Sequence, residues 1–193
     1  MTKALAWRSA WRSAMLSDPG RVRLENQDRA YADDERGIFL VVDGLGGHAA
    51  GEKAAETAVV SILEEMEKEN GDVRDRIRSA IAAANNRIFE EAAENETWSG
   101  MACVLTLAVI SGDKVIAGHV GDSRLYLTWN GAMRKLTADH SPVGEREDCG
   151  ELTEAEAMAH PRRHEVFRDV GFYQPSGQGE GFGWLPQPAR SDV

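Results

Sequence analysis

Four short apolar segments, separated by turn residues, constrain the fold of this chain most strongly. They are residues 102–110, 114–120, 124–129 and 132–136. Ser111-Gly-Asp113 separates the first two segments, and Asn130-Gly131 separates the last two. Asn-Gly between apolar segments is a strong short-range signal for a β-hairpin. The middle of the chain is therefore predicted to form an antiparallel meander.

Two segments with apolar residues spaced three and four apart precede the meander. In Glu52–Lys68 the apolar positions include Ala55, Ile62 and Met66, and a similar pattern extends from about Val73 to Asn95. This spacing places apolar side chains on one face of a helix. Helices followed by hairpins indicate an α+β fold, in which the helices lie on an antiparallel sheet.

Other local patterns predict shorter elements. Residues 13–19 are predicted to form a first strand that enters a turn at Asp18-Pro-Gly20, and residues 21–29 are predicted to form a solvated polar loop. Thr153-Glu-Ala-Glu156 has the spacing of a capping box and predicts a helix through Met158. Pro161 interrupts that helix.

Composition limits the domain organisation and the partners. A chain of 193 residues with 42% hydrophobic residues suits one globular domain. The 32 acidic and 22 basic residues give a net charge of −10, which argues against binding to nucleic acid or to an anionic membrane. The 2 cysteines suggest neither a disulfide framework nor a zinc site, and no apolar run approaches the roughly 20 residues of a membrane span. We expect a cytoplasmic location.

The chemistry is centred on Phe39-Leu-Val-Val-Asp-Gly-Leu-Gly-Gly-His48. An apolar segment, predicted as a buried strand from Gly37 to Asp43, ends in a carboxylate, and glycines follow. Backbone without Cβ atoms allows a metal ion or a phosphate to approach closely. The segment alone equally suits a glycine-rich turn that leaves a core strand.

Two further aspartates and one arginine occur in similar surroundings. Asp28 lies in a polar cluster that begins after a turn, and Asp122 lies in Gly121-Asp-Ser-Arg124 after an apolar segment. Carboxylate oxygens are the ligands that Mg²⁺ and Mn²⁺ prefer. Arg23 could hold two phosphate oxygens at once, and a metal-bound water could act as the nucleophile. Spacing alone does not bring these residues together.

Five segments, taken in order, resemble the motifs of the metal-dependent serine/threonine protein phosphatases of the PPM type, particularly their compact bacterial members. The segments are Arg23-Leu-Glu-Asn-Gln-Asp28, Val42-Asp-Gly-Leu-Gly-Gly-His-Ala-Ala-Gly-Glu52, Gly118-His-Val-Gly-Asp-Ser-Arg-Leu-Tyr126, Leu136-Thr-Ala-Asp-His-Ser141 and His160-Pro-Arg-Arg-His-Glu-Val-Phe-Arg-Asp-Val-Gly171. The resemblance covers residues 13–171. It implies a sandwich of two antiparallel β-sheets flanked by helices.

The resemblance also implies a two-metal centre that uses Mn²⁺ or Mg²⁺. Asp43 would bridge both ions, the Gly44 carbonyl would bind one, and Asp28 would act through metal-bound waters. Arg23 would bind the substrate phosphate, and Asp122 resembles a residue of a third, weaker metal site. Residues 139–141 would lead into a mobile flap near the substrate.

The role of His48 is open between two alternatives: a general acid, or a turn residue that caps the following helix. The family pattern also continues with an Asp-Gly-Leu segment and an Asp-Asn pair whose aspartates complete the metal centre. Neither is present in this sequence, and Asp192 lies in unmatched surroundings. We therefore expect the C-terminal strands to be missing and residues 172–193 to form an irregular tail.

Three hypotheses about function follow. The first is a protein phosphatase that hydrolyses phosphoserine and phosphothreonine with metal-activated water. The second is a catalytically impaired phosphatase that binds phosphoproteins without turnover. The third is an unstable remnant of such an enzyme. By the resemblance, the partners would be phosphorylated proteins, with a cognate Ser/Thr kinase or its substrates among them.

Overall fold

The computed structural model describes residues 11–21, 25–68 and 71–171. Its regular elements in chain order are β1 (Asp28–Asp33), β2 (Ile38–Leu45), α1 (His48–Met66), α2 (Val73–Glu94), a 3₁₀ turn (Glu96–Trp98), β3 (Ala102–Ser111), β4 (Lys114–Val120), β5 (Tyr126–Trp129), β6 (Ala132–Lys135), α3 (Pro142–Asp148) and α4 (Glu154–Ala159). The α+β class predicted from the sequence is confirmed.

Strands β1 to β4 form one antiparallel sheet in sequential order, and β5 and β6 form a separate two-stranded hairpin. Both predicted hairpins of the meander are present. Asn130 and Gly131 have φ values of 49° and 79°, the left-handed conformation that a tight hairpin turn requires. Gly112 in the β3–β4 turn has a φ of 67°.

Helices α1 and α2 pack against each other and against the sheet. The core between these layers contains Leu40 and Val42 of β2, Leu105 and Leu107 of β3, and the helical residues Ala54, Ile62, Ile77, Ile81 and Ile88, all at most 3% exposed. Strand β2 lies between β1 and β3, so its C-terminal end is held on both edges. That end carries Asp43.

Four predictions about local structure need correction. Residues 13–19 form no strand; they are exposed and joined to the rest by side-chain bonds such as Asn26 Nδ2 to Ser17 Oγ at 2.7 Å. Asp28–Asp33 is a strand rather than part of a loop, because it pairs along its length with β2. Helix α1 begins at His48 rather than Glu52, and Pro142–Asp148 forms a helix that was not predicted.

The helix predicted near Thr153 is confirmed, with both hydrogen bonds of its capping box. The segment that follows, residues 161–164, forms turns, and Val170 then makes an isolated bridge to Cys103 of β3. The predicted tail, residues 172–193, lies outside the described residues. No helix in the described ranges is long and apolar enough to cross a membrane.

Candidate metal and phosphate site

A cavity of about 470 Å³ lies at the C-terminal end of β2. The residues that line it are Glu25, Gln27, Asp43, Gly44, Leu45, Gly46, Gly47, Asp122, His164 and Val166. The structure therefore places Asp43 and Asp122 in the lining of the same cavity, although 79 positions separate them in the sequence. The loop after β4 supplies Asp122, and the segment after α4 supplies His164.

Asp28 lies opposite Asp43 in the register of β1 and β2. Side chains of directly opposed residues in an antiparallel pair project from the same face of the sheet. Asp28 is exposed and is not among the residues that line the cavity. Its predicted role through waters fits a position beside the cavity rather than in it.

Close contact between backbone segments fixes the C-terminal end of β2. The Gly44 amide donates to the Gln27 carbonyl at 3.2 Å. A Cβ on Gly44 would lie 2.0 Å from the Gly51 carbonyl oxygen, and a Cβ on Gly51 would lie 2.9 Å from the Gly44 carbonyl oxygen. Neither glycine can carry a side chain without movement, so α1 packs directly on the strand end.

The two remaining sequence candidates cannot be placed as side chains. Arg23 lies outside the described residues. His48 is the first residue of α1, and its side chain is not described. The N-cap of α1 is Gly47 and His48 is the first helical residue, so both predicted roles of the His48 side chain stay predictions.

The surroundings of Asp122 oppose its ionisation in the absence of a metal ion. Burial raises the pKa of Asp122, and repulsion from the Asp139 carboxylate adds to the rise, while Arg124 and His164 oppose it. A nearby positive ion would stabilise the ionised carboxylate and lower this pKa again.

The donor atoms of the cavity fit a hard divalent ion. Asp43 and Asp122 offer carboxylate oxygens, Gly44 offers a carbonyl, and the neighbouring glycines leave space for metal-bound water. Mg²⁺ in proteins is commonly held by one or two carboxylates and keeps several waters. Within the described ranges, no group of three or more His, Cys, Asp or Glu side chains could hold a metal ion.

Sequence reasoning missed Glu25, Gln27 and His164 as cavity residues. Glu25 and Gln27 lie inside the first quoted motif, so their proximity to Asp28 was the available signal. His164 lies in the basic segment 160–168, about 120 positions after Asp43, and nothing in its spacing points to the cavity.

The fold is that of the bacterial PPM-type serine/threonine phosphatases. The structure resembles the Mycobacterium tuberculosis serine/threonine phosphatase PstP/Ppp with a TM-score of 0.73 and 32% identity, covering 83% of this chain and 68% of that one. It also resembles the catalytic domain of serine threonine protein phosphatase PstP in complex with 2 manganese ions, with a TM-score of 0.70 and 31% identity, covering 81% and 65%.

Residues 8–148 match the family model described as Protein phosphatase 2C, and the chain belongs to this family. A relative in Listeria welshimeri, serine/threonine phosphatase stp, is 35% identical over 164 residues, which are 80% of this chain and 65% of the relative. The chain thus spans about two thirds of the length of the relatives that it matches.

Proposed function

We propose that this chain is a metal-dependent protein phosphatase that hydrolyses phosphoserine and phosphothreonine in proteins. The observation that carries the proposal is that Asp43 and Asp122 line one cavity at the end of β2, together with glycine backbone. Membership of the protein phosphatase 2C family and the relatives named serine/threonine phosphatases support it. The solved PstP complex with manganese supports Mn²⁺ as a cofactor, and Mg²⁺ has the same ligand preferences.

Each site residue has a proposed part. A bound metal ion would lower the pKa of a water and so supply the nucleophile. Asp43 and the Gly44 carbonyl would hold the metals, Asp28 would orient metal-bound waters, and Asp122 would hold a further, weaker ion. Arg23 would bind the phosphate through two oxygens. His48 remains a proposed general acid.

Release of phosphate from a phosphothreonine peptide, measured as a function of Mn²⁺ concentration, tests the proposal. We expect turnover that requires Mn²⁺ and falls at least about a hundredfold in Asp43→Asn, because the metal-activated nucleophile is lost. Asp113→Asn is the matched control, since Asp113 is an exposed aspartate in the β3–β4 turn. No turnover by the wild-type chain at saturating Mn²⁺ would contradict the proposal.

A binding module without turnover is the second candidate, and the number of ligands favours it. The cavity contains two of the predicted metal-binding carboxylates, and metal affinity increases with the number of charged ligands. This candidate predicts that a phosphopeptide binds without hydrolysis and that Arg23→Ala abolishes binding. Arg21→Ala, which removes a neighbouring positive charge, is the control. Binding that is indifferent to Arg23→Ala would contradict it.

A further inference from the structure

His140 makes hydrogen bonds with both the amide and the carbonyl of Gly121, the residue directly before Asp122. The Gly121 amide donates to His140 Nδ1 at 3.0 Å, and the His140 amide donates to the Gly121 carbonyl at 2.7 Å. Gly121 has a φ of 104°, a conformation that side-chain-bearing residues rarely adopt. One residue therefore holds this unusual backbone conformation through two hydrogen bonds.

The ring of His140 is itself fixed by its neighbours. Its centroid lies 5.1 Å from that of His119 and 6.3 Å from that of Phe167, and the Phe167 amide donates to the His140 carbonyl at 3.0 Å. Burial lowers the pKa of His140 to about 4, and His119 and Arg168 contribute to the decrease. The imidazole is therefore neutral at physiological pH, with Nδ1 as acceptor and the proton on Nε2.

Gly121 also contacts Val104 of β3, the residue that pairs with Asp43 of β2. A Cβ on Gly121 would lie 2.1 Å from Val104 Cγ1, so the backbone of Gly121 is pressed against this side chain. Val104 is fully buried and is the ladder partner of Asp43 in the β2–β3 register. Val104 and His140 together thus fix the position of the Gly121 backbone relative to Asp43.

We propose that His140 is a positioning residue whose Nδ1, by holding the Gly121 amide, keeps the Asp122 carboxylate in the cavity with Asp43. The proposal rests on the proposed function in assigning a metal ion to that cavity. It differs from a packing role, in which the ring of His140 would only fill space between His119 and Phe167. The two roles depend on different parts of the side chain.

Two substitutions separate these parts. In His140→Asn, the amide Oδ1 occupies nearly the place of Nδ1 and keeps an acceptor for Gly121, but the ring is lost. In His140→Phe, the ring remains and the acceptor is lost, which leaves a buried N–H without a partner. A positioning role predicts that the Phe variant is impaired and the Asn variant is close to wild type, and a packing role predicts the reverse order.

The first readout is Mn²⁺ affinity, measured on the full chain by electron paramagnetic resonance of free Mn²⁺. We expect affinity to fall about tenfold in His140→Phe, the scale expected when a group that orients a metal ligand is lost, and to stay within about threefold in His140→Asn. Because no substrate is added, this result is independent of turnover. If the wild-type chain binds Mn²⁺, an equal affinity in His140→Phe would overturn the proposal.

The second readout is amide hydrogen exchange of residues 118–126 without metal. We expect faster exchange in His140→Phe and unchanged exchange in His140→Asn, so the proposal can be tested even if the wild-type chain neither turns over nor binds Mn²⁺. His140→Gln, which moves the acceptor outward, replaces the Phe variant if that variant does not fold and should also exchange faster. If His140→Asn exchanges as fast as His140→Phe, or as fast as His140→Gln where that variant replaces it, the proposal is overturned.

Discussion

At the scale of single residues, the site depends on glycines, which have no side chain, as much as on the side chains that line it. Gly44 and Gly51 let helix α1 approach the end of β2 at backbone distance, and Gly121 does the same for the loop on Val104. Gly44, Gly46 and Gly47 line the cavity beside Asp43. The glycines of the motif are therefore requirements of packing and not only of turn geometry.

Gly44→Ala should destabilise the protein more than Gly47→Ala. A Cβ at Gly44 meets the Gly51 backbone at 2.0 Å, whereas a Cβ at Gly47 meets nothing within 4 Å and is penalised only by its φ of 78°. We expect losses in the free energy of unfolding of about 3 kcal/mol for Gly44→Ala and about 1–2 kcal/mol for Gly47→Ala, whose φ of 78° and ψ of 172° lie in a region largely confined to glycine. Urea denaturation of both variants measures this difference, and equal losses would contradict the packing argument.

The stability of the protein should depend on pH through His140. Its pKa is lowered from 6.5 to about 4 by burial, with His119 and Arg168 contributing. Between these pH values the unfolded chain binds a proton that the native protein does not bind. The free energy of unfolding should therefore decrease as pH falls from 6.5 to about 4.

His140→Asn tests this pH dependence, because asparagine does not titrate. The variant should show a smaller decrease in the free energy of unfolding over the same pH range, measured by urea denaturation at several pH values. Part of the slope should remain, since burial also lowers the pKa of His119. An unchanged slope in His140→Asn would show that His140 does not carry the effect.

At the scale of elements, Arg124 connects the β5–β6 hairpin to α3 and α4. Its guanidinium donates to Asp139 at 2.6 and 2.9 Å, to Glu147 of α3 at 2.8 Å and to Glu154 of α4 at 3.0 Å. The side chains of Arg124, Asp139 and Glu147 are 14%, 6% and 11% exposed. Lys135 shares Glu147 at 2.6 Å. This buried ion cluster holds the two short helices in place.

Arg124→Leu should loosen α3 and α4. Loss of the guanidinium leaves the buried carboxylates of Asp139 and Glu147 with Lys135 as their remaining cation, and breaking such pairs typically costs about 3 kcal/mol. We expect that loss in the free energy of unfolding and faster hydrogen exchange in residues 142–159. Arg162→Leu is the control, because its ion pair with Glu165 is exposed and screened by solvent, so its loss should lower stability much less than loss of Arg124. Equal effects of both substitutions would contradict the role of the cluster.

The elements that could be predicted from the sequence are those with a local signal. Apolar spacing predicted α2, and the glycine turns predicted both hairpins of β3–β6. The strand β1 was missed because its sequence, Asp-Arg-Ala-Tyr-Ala-Asp, is polar at both ends and is held by pairing with β2. Helix α3 was missed because a Gly at its third position weakens its helical pattern, although Ser141 caps it through the Gly144 amide at 2.9 Å.

The candidate site also contains a part with a local sequence signal and a part without one. Asp43 could be proposed as a ligand from one segment, because an apolar strand ends beside it, although that segment alone equally suits a glycine-rich turn. Asp122 shares the cavity of Asp43 through the β2–β3–β4 register, which no local pattern encodes. The predicted roles of Arg23 and His48 stay predictions, since those side chains lie outside the described part of the chain.

At the scale of the whole molecule, one core joins the sheet to both long helices. Fully buried residues come from β2, α1, α2 and β3, and Val170 near the end of the described chain also belongs to this core. A continuous core of this kind is expected to unfold cooperatively. The hypothesis of an unstable remnant instead predicts a molten or aggregated product.

Thermal unfolding, followed by near-ultraviolet circular dichroism, separates these two outcomes. The Trp98 side chain packs against the core, and Lys53 Nζ lies 5.0 Å from its ring centroid, so its signal reports on fixed tertiary structure. We expect a single sigmoidal transition that coincides with the loss of the far-ultraviolet helical signal. Absence of a near-ultraviolet signal at low temperature would support the remnant hypothesis.

Asp43 and Asp122 are proposed to form one metal centre in the cavity at the end of β2. Anomalous diffraction at the manganese edge from crystals soaked in Mn²⁺ tests it most directly. We expect an anomalous peak in this cavity within about 2.3 Å of an Asp43 carboxylate oxygen, and its loss in crystals of Asp43→Asn. Manganese bound only elsewhere, or an empty cavity at saturating Mn²⁺, would contradict it.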